Sequence, residues 1–458
     1  MSSHGGGFSP ISILEAPIHF LEKFGLTTTW LIVAVGLGMS YYAFTLFDFQ
    51  SYAVFEYMIL SAPIWLPITS FMLFFEFWLY YVQKEYNIKQ GRVTLEIKLP
   101  QDIFKSPQAM ELVLNQMYQT ASPDNHLQTY LDGKNPPTYS LEIVSRGGDV
   151  RFYINTPTKK FKNIIETQLY AQYPGVEVHQ LDIDYTAEVP WNTKKFAYFS
   201  IHFGLKKADA YPIKTYIDYG LDTMPKEEEK IDPITSVLEA LGNIDTNEFS
   251  WVQILINANR ETTFKEGSLH TTPDWKKEAR AEIKNIIDTA IKERSDKDEN
   301  GNPKKGNVMM LLTDAEKDTI KAIERSLSKL AFNTVIRVMY ISPKESFNPG
   351  ERISPLITMW RSFDDLNRNA VSFKWRTDFD WNIWQDPHGH HAQHLKQLEL
   401  NEYKRRSYTK RGHNDGPTVM TVEELATIFH LPGKVALTPS LARIPSKRAE
   451  PPSNLPVG

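Results

Sequence analysis

Two nearly uncharged stretches, back to back near the N-terminus, constrain this chain more than any other feature. Residues 25–47 (GLTTTWLIVAVGLGMSYYAFTLF) carry no charge, and residues 54–82 carry only Glu56 and Glu76 among mostly aromatic and aliphatic side chains. As a helix, the first stretch reaches roughly 35 Å, enough to cross a hydrocarbon core of about 30 Å. Two such runs predict a transmembrane hairpin over 25–83 and not a buried hairpin in a soluble core. Trp65, Trp78, Tyr80 and Tyr81 offer rings with one wet edge for the interfaces. Pro63 and Pro67 remove backbone donors inside the second span and predict a kink there. Glu56 falls at the far interface and Glu76 near the cytoplasmic one. The connecting segment has no Lys or Arg, whereas Lys23 precedes the first span and Lys84, Lys89 and Arg92 follow the second. The excess of positive charge on one side therefore places both termini in the cytoplasm. The segment 1–24 is not a signal peptide: it lacks a basic start, and Pro10, Glu15, Pro17 and Glu22 interrupt its apolar positions.

With 458 residues the chain has room for two or three domains. Its net charge of −4 argues against broad coating of nucleic acid, which needs a basic face to release counterions. There is no cysteine, so disulfide frameworks, zinc ribbons and thiol nucleophiles are excluded.

Beyond the hairpin the pattern is α+β. Val93, Leu95, Ile97 and Leu99 alternate with polar residues, as in a half-buried strand. Ser106-Pro107 opens a helix whose apolar face is Met110, Val113, Leu114 and Met117. Two strands follow, around Leu141 and Phe152, joined at Gly147-Gly148, a pair that supplies the positive φ of a tight hairpin. A helix with Phe161, Ile164, Ile165 and Leu169 inward comes next, then a strand over 176–183. This β-α-β-β-α-β order predicts a ferredoxin-like domain over 92–184. A second α+β domain is expected over 195–343, with strands at 196–205, 249–256 and 334–341. Between them come a helix capped by Asp232-Pro233, a charged helical insertion within 260–312, and a helix opened by the TDAE capping box at 313–316. The run 295–307 has nothing apolar to bury. Residues 344–436 form a mixed C-terminal region, and 437–458 a Pro-rich tail that reads as a tether.

Signatures of chemistry are scarce. No G-x-x-x-x-G-K-[ST], G-x-S-x-G or H-E-x-x-H occurs; GNPKKGN at 301–307 lacks the phosphate-loop order, and Gly36-Leu37-Gly38 lies inside the first span. The expectation is a protein that is not an enzyme and has no catalytic, cofactor-binding or metal-ligating residue. His388, His390, His391 and His394 cluster within HGHHAQH, and on a helix His390 and His394 share a face; a solvated helix start and a metal site both fit that spacing. Aromatic and basic residues interleave farther along. Trp360, Arg361, Trp375, Arg376, Trp381 and Trp384, with Lys404, Arg405 and Arg406 of KRRSYTKR, form a candidate surface for a protein partner or for single-stranded DNA. Rings of this kind stack on bases while cations hold phosphates. A basic stretch can equally face anionic lipid.

The stretches LEIVSRGGDVRFYINTP (141–157), ETQLYAQYPGVEV (166–178), YIDYGLD (216–222), DPITSVLEALGNI (232–244), VEELATIFHLPG (422–433) and AEPPSNLP (449–456) carry a resemblance. They look like the membrane-proximal N-terminal module of coupling-type ATPases in type IV secretion or conjugation-like systems of small-genome bacteria. The likeness covers most of residues 20–456. It implies a multi-pass protein of the bacterial inner membrane, with lipid, a coupling-type ATPase and further copies of the chain as partners, and it transfers no catalytic residue. The motor does not follow within these residues. ATP hydrolysis is therefore expected from another polypeptide, unless the chain is a stand-alone paralogue. The functional expectation is a non-enzymatic scaffold that positions the motor; the alternative is a membrane-tethered module that binds single-stranded DNA.

Overall fold

A computed structural model describes residues 36, 38, 39, 42, 51–100, 105–223, 231–268, 274–294, 311–377, 386, 389–411 and 415–433. The expected first span, 25–47, lies outside them except for Gly36, Gly38, Met39 and Tyr42, which are helical. The insertion run 295–307 and the tail 437–458 also fall outside. The second stretch is helix α1 (Ser51–Gln90), continuous through Pro63 and Pro67. Within it Glu56–Gln90 is long and apolar enough to cross a membrane, and among the described residues it alone is. Ile59, Leu60, Ile64, Leu66, Ile68, Phe71, Phe74 and Phe77 all face outward, each at least half exposed. An apolar surface of that kind is a helix built to be solvated by something other than water.

Helix α1 runs almost directly into the sheet. Only Gly91, at φ +66, separates it from β1 (Arg92–Lys98). Next come α2 (Gln108–Met117), α3 (His126–Tyr130), β2 (Tyr139–Arg146), β3 (Asp149–Pro157), α4 (Thr158–Gln172) and β4 (Glu177–Gln180). The chain continues through β5 (Phe196–Leu205), α5 (Ile234–Gly242), β6 (Phe249–Ala258), α6 (Trp275–Arg294), α7 (Asp314–Leu327), β7 (Ala331–Pro343), α8 (Pro349–Thr358) and β8 (Val371–Arg376). It closes with α9 (His390–Arg405), β9 (Thr418–Thr421) and α10 (Val422–Ile428).

All nine strands share one antiparallel sheet in the order β4-β1-β3-β2-β6-β7-β5-β8, with β9 beside the start of β7. The two halves repeat each other. Counted in chain order within each half, the strands lie fourth, first, third, second, and the two second strands, β2 and β6, pair at the centre over Tyr139–Arg146 and Phe249–Ile256. The region 344–436 supplies β8, β9, α9 and α10 to this same sheet and its cores.

Side-chain alternation gives the sheet two different faces. One face, with Leu95, Leu141, Ile143, Phe152, Ile154, Ile201, Phe203, Val252, Ile254, Ile336 and Val338, forms the main core together with residues of α2, α4, α5 and α10. The opposite face carries a smaller cluster, Val144, Tyr153, Tyr198, Trp251, Met339 and Ile341, closed by Leu400 and Tyr403 of α9. Strand β1 departs from the half-buried expectation: Thr94 and Glu96 are buried too. The Thr94 hydroxyl donates to Asp184 at 2.7 Å and Arg151 pairs with Glu96 at 3.1 Å, so polar partners cover the second face. Ile164 of α4 is 38% exposed, outside the buried face of Ile165 and Leu169. The hairpin at Gly147 and Gly148 has φ of +57 and +88, as its turn requires.

The C-terminal part of α1 is clasped by the body. Trp78 Nε1 donates to the Tyr130 carbonyl at 2.6 Å, and Phe75 packs against Tyr130 and Phe264. Gly133, at φ +69, lies so close to α1 that a Cβ there would collide with the Val82 carbonyl. Gly133→Ala should therefore loosen the clasp, costing on the order of 2 kcal/mol from the left-handed backbone and the displaced helix. Hydrogen exchange over residues 75–90 should speed up, and unchanged protection there would refute the clasp.

Candidate functional site

Four adjacent strands each carry one large polar side chain within an otherwise apolar stretch: Glu142 in β2, Gln253 in β6, Arg337 in β7 and His202 in β5. The register sets them side by side, Glu142 opposite Gln253, Gln253 opposite Arg337, and Arg337 opposite His202. Tyr153 and Trp375 extend the same row outward. All four central members are 0% exposed. Charges so placed are tolerable only when paired and hydrogen-bonded.

The partners come from α9 and the segment after it. Glu399 accepts from His202 Nε2 at 2.8 Å and from Arg411 Nε at 2.8 Å, and lies 3.5 Å from Arg337. His202 Nδ1 meets Asp415 at 3.0 Å. Arg337 also donates to Gln253 Oε1 and to the Ser407 carbonyl. Gln253 Nε2 donates to Glu142 at 3.2 Å and to the Tyr403 carbonyl at 3.1 Å. Arg406 reaches back beneath the sheet to Glu142 at 3.0 Å and to Asp184 at 2.7 Å. To do so it caps α9 at φ +51, a conformation that costs most residues about 1–2 kcal/mol. The Tyr185 hydroxyl donates to Glu142 at 2.7 Å.

The charges nearly balance. Burial alone would strip the proton from His202, but the attraction of Glu399 and the hydrogen bonds to Asp415 and Glu399 overcome it and raise the imidazole to about 9. Burial also opposes the Glu399 carboxylate, yet His202, Arg337 and Arg411 hold it well below the usual range. Burial pushes the Glu402 carboxyl up despite Arg411 at 2.6 Å. The result is a lattice of ion pairs that fixes one seating of α9 and residues 406–415 on the sheet. An imidazolium between two carboxylates is also a unit of acid–base chemistry. Here the Ser200 hydroxyl donates to Glu399 at 3.4 Å, and the His202 and Glu399 side chains are 0% exposed.

A second ionic cluster joins α2, the end of α7, α10 and two loops: Lys329, just past α7, pairs with Glu111 at 2.6 Å, Arg325 with Glu423 at 3.0 Å, and Arg368 with Asp218, both in loops, at 2.8 Å. An open groove of about 590 Å³ lies between α5 and α8, lined by Ser236, Glu239, Asn243, Pro355 and Thr358. Among the described residues, no group of three or more His, Asp or Glu side chains is arranged to hold a metal ion.

The structure separates the aromatic and basic residues singled out from the sequence. Trp360 is 0% exposed in the main core, against Phe203. Trp375 is 6% exposed on the other face of the sheet, over the His202 ring. Neither ring offers a face to a base. Arg361 is exposed, Arg376 is half-buried, and Trp381 and Trp384 lie outside the described residues. On α9, Arg405 is exposed, Lys404 donates to the Val189 carbonyl at 2.7 Å, and Arg406 is committed to Glu142. His390 and His394 occupy the exposed first turns of α9, and His388 lies outside the described residues. The row itself went unread in the sequence. Its signal was one large polar residue at the middle of each apolar strand: His202 in FSIHFGL, Gln253 in WVQILI, Arg337 in VIRVMYI.

Residues 87–443 match a family described as "Domain of unknown function (DUF8128)". No curated protein matches the chain.

Proposed function

The chain belongs to that DUF8128 family, and we propose that it is a membrane-anchored scaffold without chemistry of its own, which holds a separate coupling-type ATPase of a type IV secretion or conjugation-like system at the bilayer. The observation that carries this reading is the junction of anchor and body. Helix α1 is outwardly apolar along its membrane-length section, reaches the sheet through Gly91 alone, and is clasped by Trp78, Phe75 and Gly133. A body tied in this way cannot swing freely about α1, so a partner that docks on it takes a defined position relative to that helix. The ion-pair lattice beneath α9 adds rigidity without an open site.

Each half of the sheet reads as ferredoxin-like, an arrangement its fourth-first-third-second strand order supports, and the second half carries the helical insertion α6–α7 in place of a hairpin. The distribution of Lys and Arg supports two spans with both termini in the cytoplasm, in a bacterial inner membrane. The test is purification of the full chain from detergent-solubilised membranes after mild crosslinking. A coupling-type ATPase should co-purify. Recovery of no ATPase or secretion component, or turnover of ATP by the purified chain alone, would overturn the proposal.

A further inference from the structure

Helix α3 and the 3-10 turn Phe264–Glu266 form one tip beside α1. The Tyr130 hydroxyl donates to the Phe264 carbonyl at 2.6 Å, and the Thr129 hydroxyl donates to the Lys265 carbonyl at 2.6 Å. The His126 ring lies against both Tyr130 and Phe264. Although tied together, this tip leaves large apolar side chains in the open: Leu127 and Leu131 are each 62% exposed, and Phe264 is 52% exposed. Leu131 caps α3 four residues after Leu127, so the two stand on one side of it.

The position of the tip along α1 shows what covers it. Phe264 stacks on Phe75 at 6.1 Å, and Tyr130 packs on the same ring at 5.6 Å. Phe75 precedes β1 by seventeen residues, so the body reaches back roughly 25 Å along the helix toward the membrane. In the other direction nineteen residues separate Phe75 from Glu56, the last charge before the far side. They span roughly 28 Å, close to the thickness of a hydrocarbon core. With Glu56 at the far interface, Phe75 and everything stacked on it lie at the near one. The outward apolar surface of α1 is thus continuous with that of the tip, through Phe74, Phe75 and Phe264.

We infer that Leu127, Leu131 and Phe264 insert into the boundary between acyl chains and headgroups, making the tip a second, monotopic membrane contact of the body beside its spanning helix. This rests on α1 crossing a bilayer, as proposed above. Contact at two points fixes the tilt of the sheet relative to the membrane, which a single helix leaves open. Aromatic and aliphatic side chains with nearby polar backbone suit that boundary layer.

The absence of cysteine makes the test direct. Single variants Leu127→Cys, Leu131→Cys and Phe264→Cys of the full chain, with Ile64→Cys and Leu366→Cys as references, are labelled with an environment-sensitive fluorophore. They are then placed in phosphatidylcholine nanodiscs with or without doxyl-labelled lipids that carry the quencher both near the headgroup, at the depth of the tip, and near the chain end, at the depth of Ile64. All three substituted tip residues are more than half exposed; Phe264→Cys also removes the ring stacked on Phe75, so Leu127→Cys and Leu131→Cys decide the outcome. Loss of fluorescence at all three tip positions and at Ile64, with none at Leu366, is the expected result. Quenching at Ile64 alone would overturn the tip contact and leave the anchor standing. A blue shift at the tip without doxyl quenching would assign it to a protein surface and overturn the proposal as well. No quenching at Ile64 would remove the anchor itself, and the inference with it.

Discussion

Replacing Glu399 with alanine destabilises the body by about 3–5 kcal/mol, the scale expected when one member of a buried ion pair is removed and its partners stay buried. The side chain leaves three cations behind: His202 and Arg337, both 0% exposed, and Arg411, itself 12% exposed. Arg411 keeps Glu402 at 2.6 Å, but His202 and Arg337 each lose their nearest carboxylate, and what remains is Asp415 at 3.0 Å from His202 and Glu402 at 3.8 Å from Arg337. The loss should show as a lower midpoint in chemical denaturation of the full chain in detergent, followed through the buried tryptophans. The double variant Glu399→Met with Arg337→Met should recover part of it, because an apolar pair of similar volume avoids the desolvation that each charge carries. A change within the range of an ordinary surface substitution, about 0.5 kcal/mol, would mean that the lattice is not closed as described.

The second large effect is an alkaline loss of stability. An unfolded histidine gives up its proton near 6.5, whereas His202 in the folded chain keeps it to about 9. Folding therefore retains a proton across that interval. The contribution is complete below 6.5 and disappears as pH rises through 9, and it is worth on the order of 3 kcal/mol. His430 acts in the same direction: burial opposes its charge, but Asp232 at 3.0 Å raises it. Glu424 is the other buried group to consider. Burial lifts it to about 7 against the hydrogen bonds from Thr421 and Ile213, so its contribution fades between about 4.5 and 7. The fall above pH 7 therefore belongs to the histidines. Denaturation midpoints measured from pH 6.5 to 9.5 should decline in the native chain and decline less in His202→Gln. Identical slopes in the two proteins would show that His202 is not held as an imidazolium.

Much of the local structure was legible because it depends on near neighbours. The hairpin at Gly147-Gly148, the capping box at Thr313 and Glu316, the Asp232 hydrogen bond to the Ile234 N–H and the apolar face of α2 each involve residues within a few positions of one another. The row of Glu142, Gln253, Arg337 and His202 was not legible in the same way. Its members lie on four strands spread over nearly two hundred residues, and they meet only because β2 pairs with β6, and β7 lies between β6 and β5. The aromatic and basic segment failed as a surface for a related reason. Trp360 and Trp375 are fifteen residues apart in the chain yet face opposite sides of the sheet, and sequence spacing carries no record of which face a strand edge or a short turn presents.

The sequence by itself determined that the chain has a membrane-length apolar helix, an α+β body, and no thiol chemistry or phosphate-binding loop of the recognised kinds. These follow from composition and short-range periodicity, which act before any long-range contact forms. Only the tertiary structure decided that the two halves share one sheet through β2 and β6, that the lone polar residues of four strands close into a single lattice, and that α1 is gripped at Phe75, Trp78 and Gly133. Those features are pairings between distant segments. Strand order selects them, and the energy of a buried charge appears only once its partner has been brought beside it.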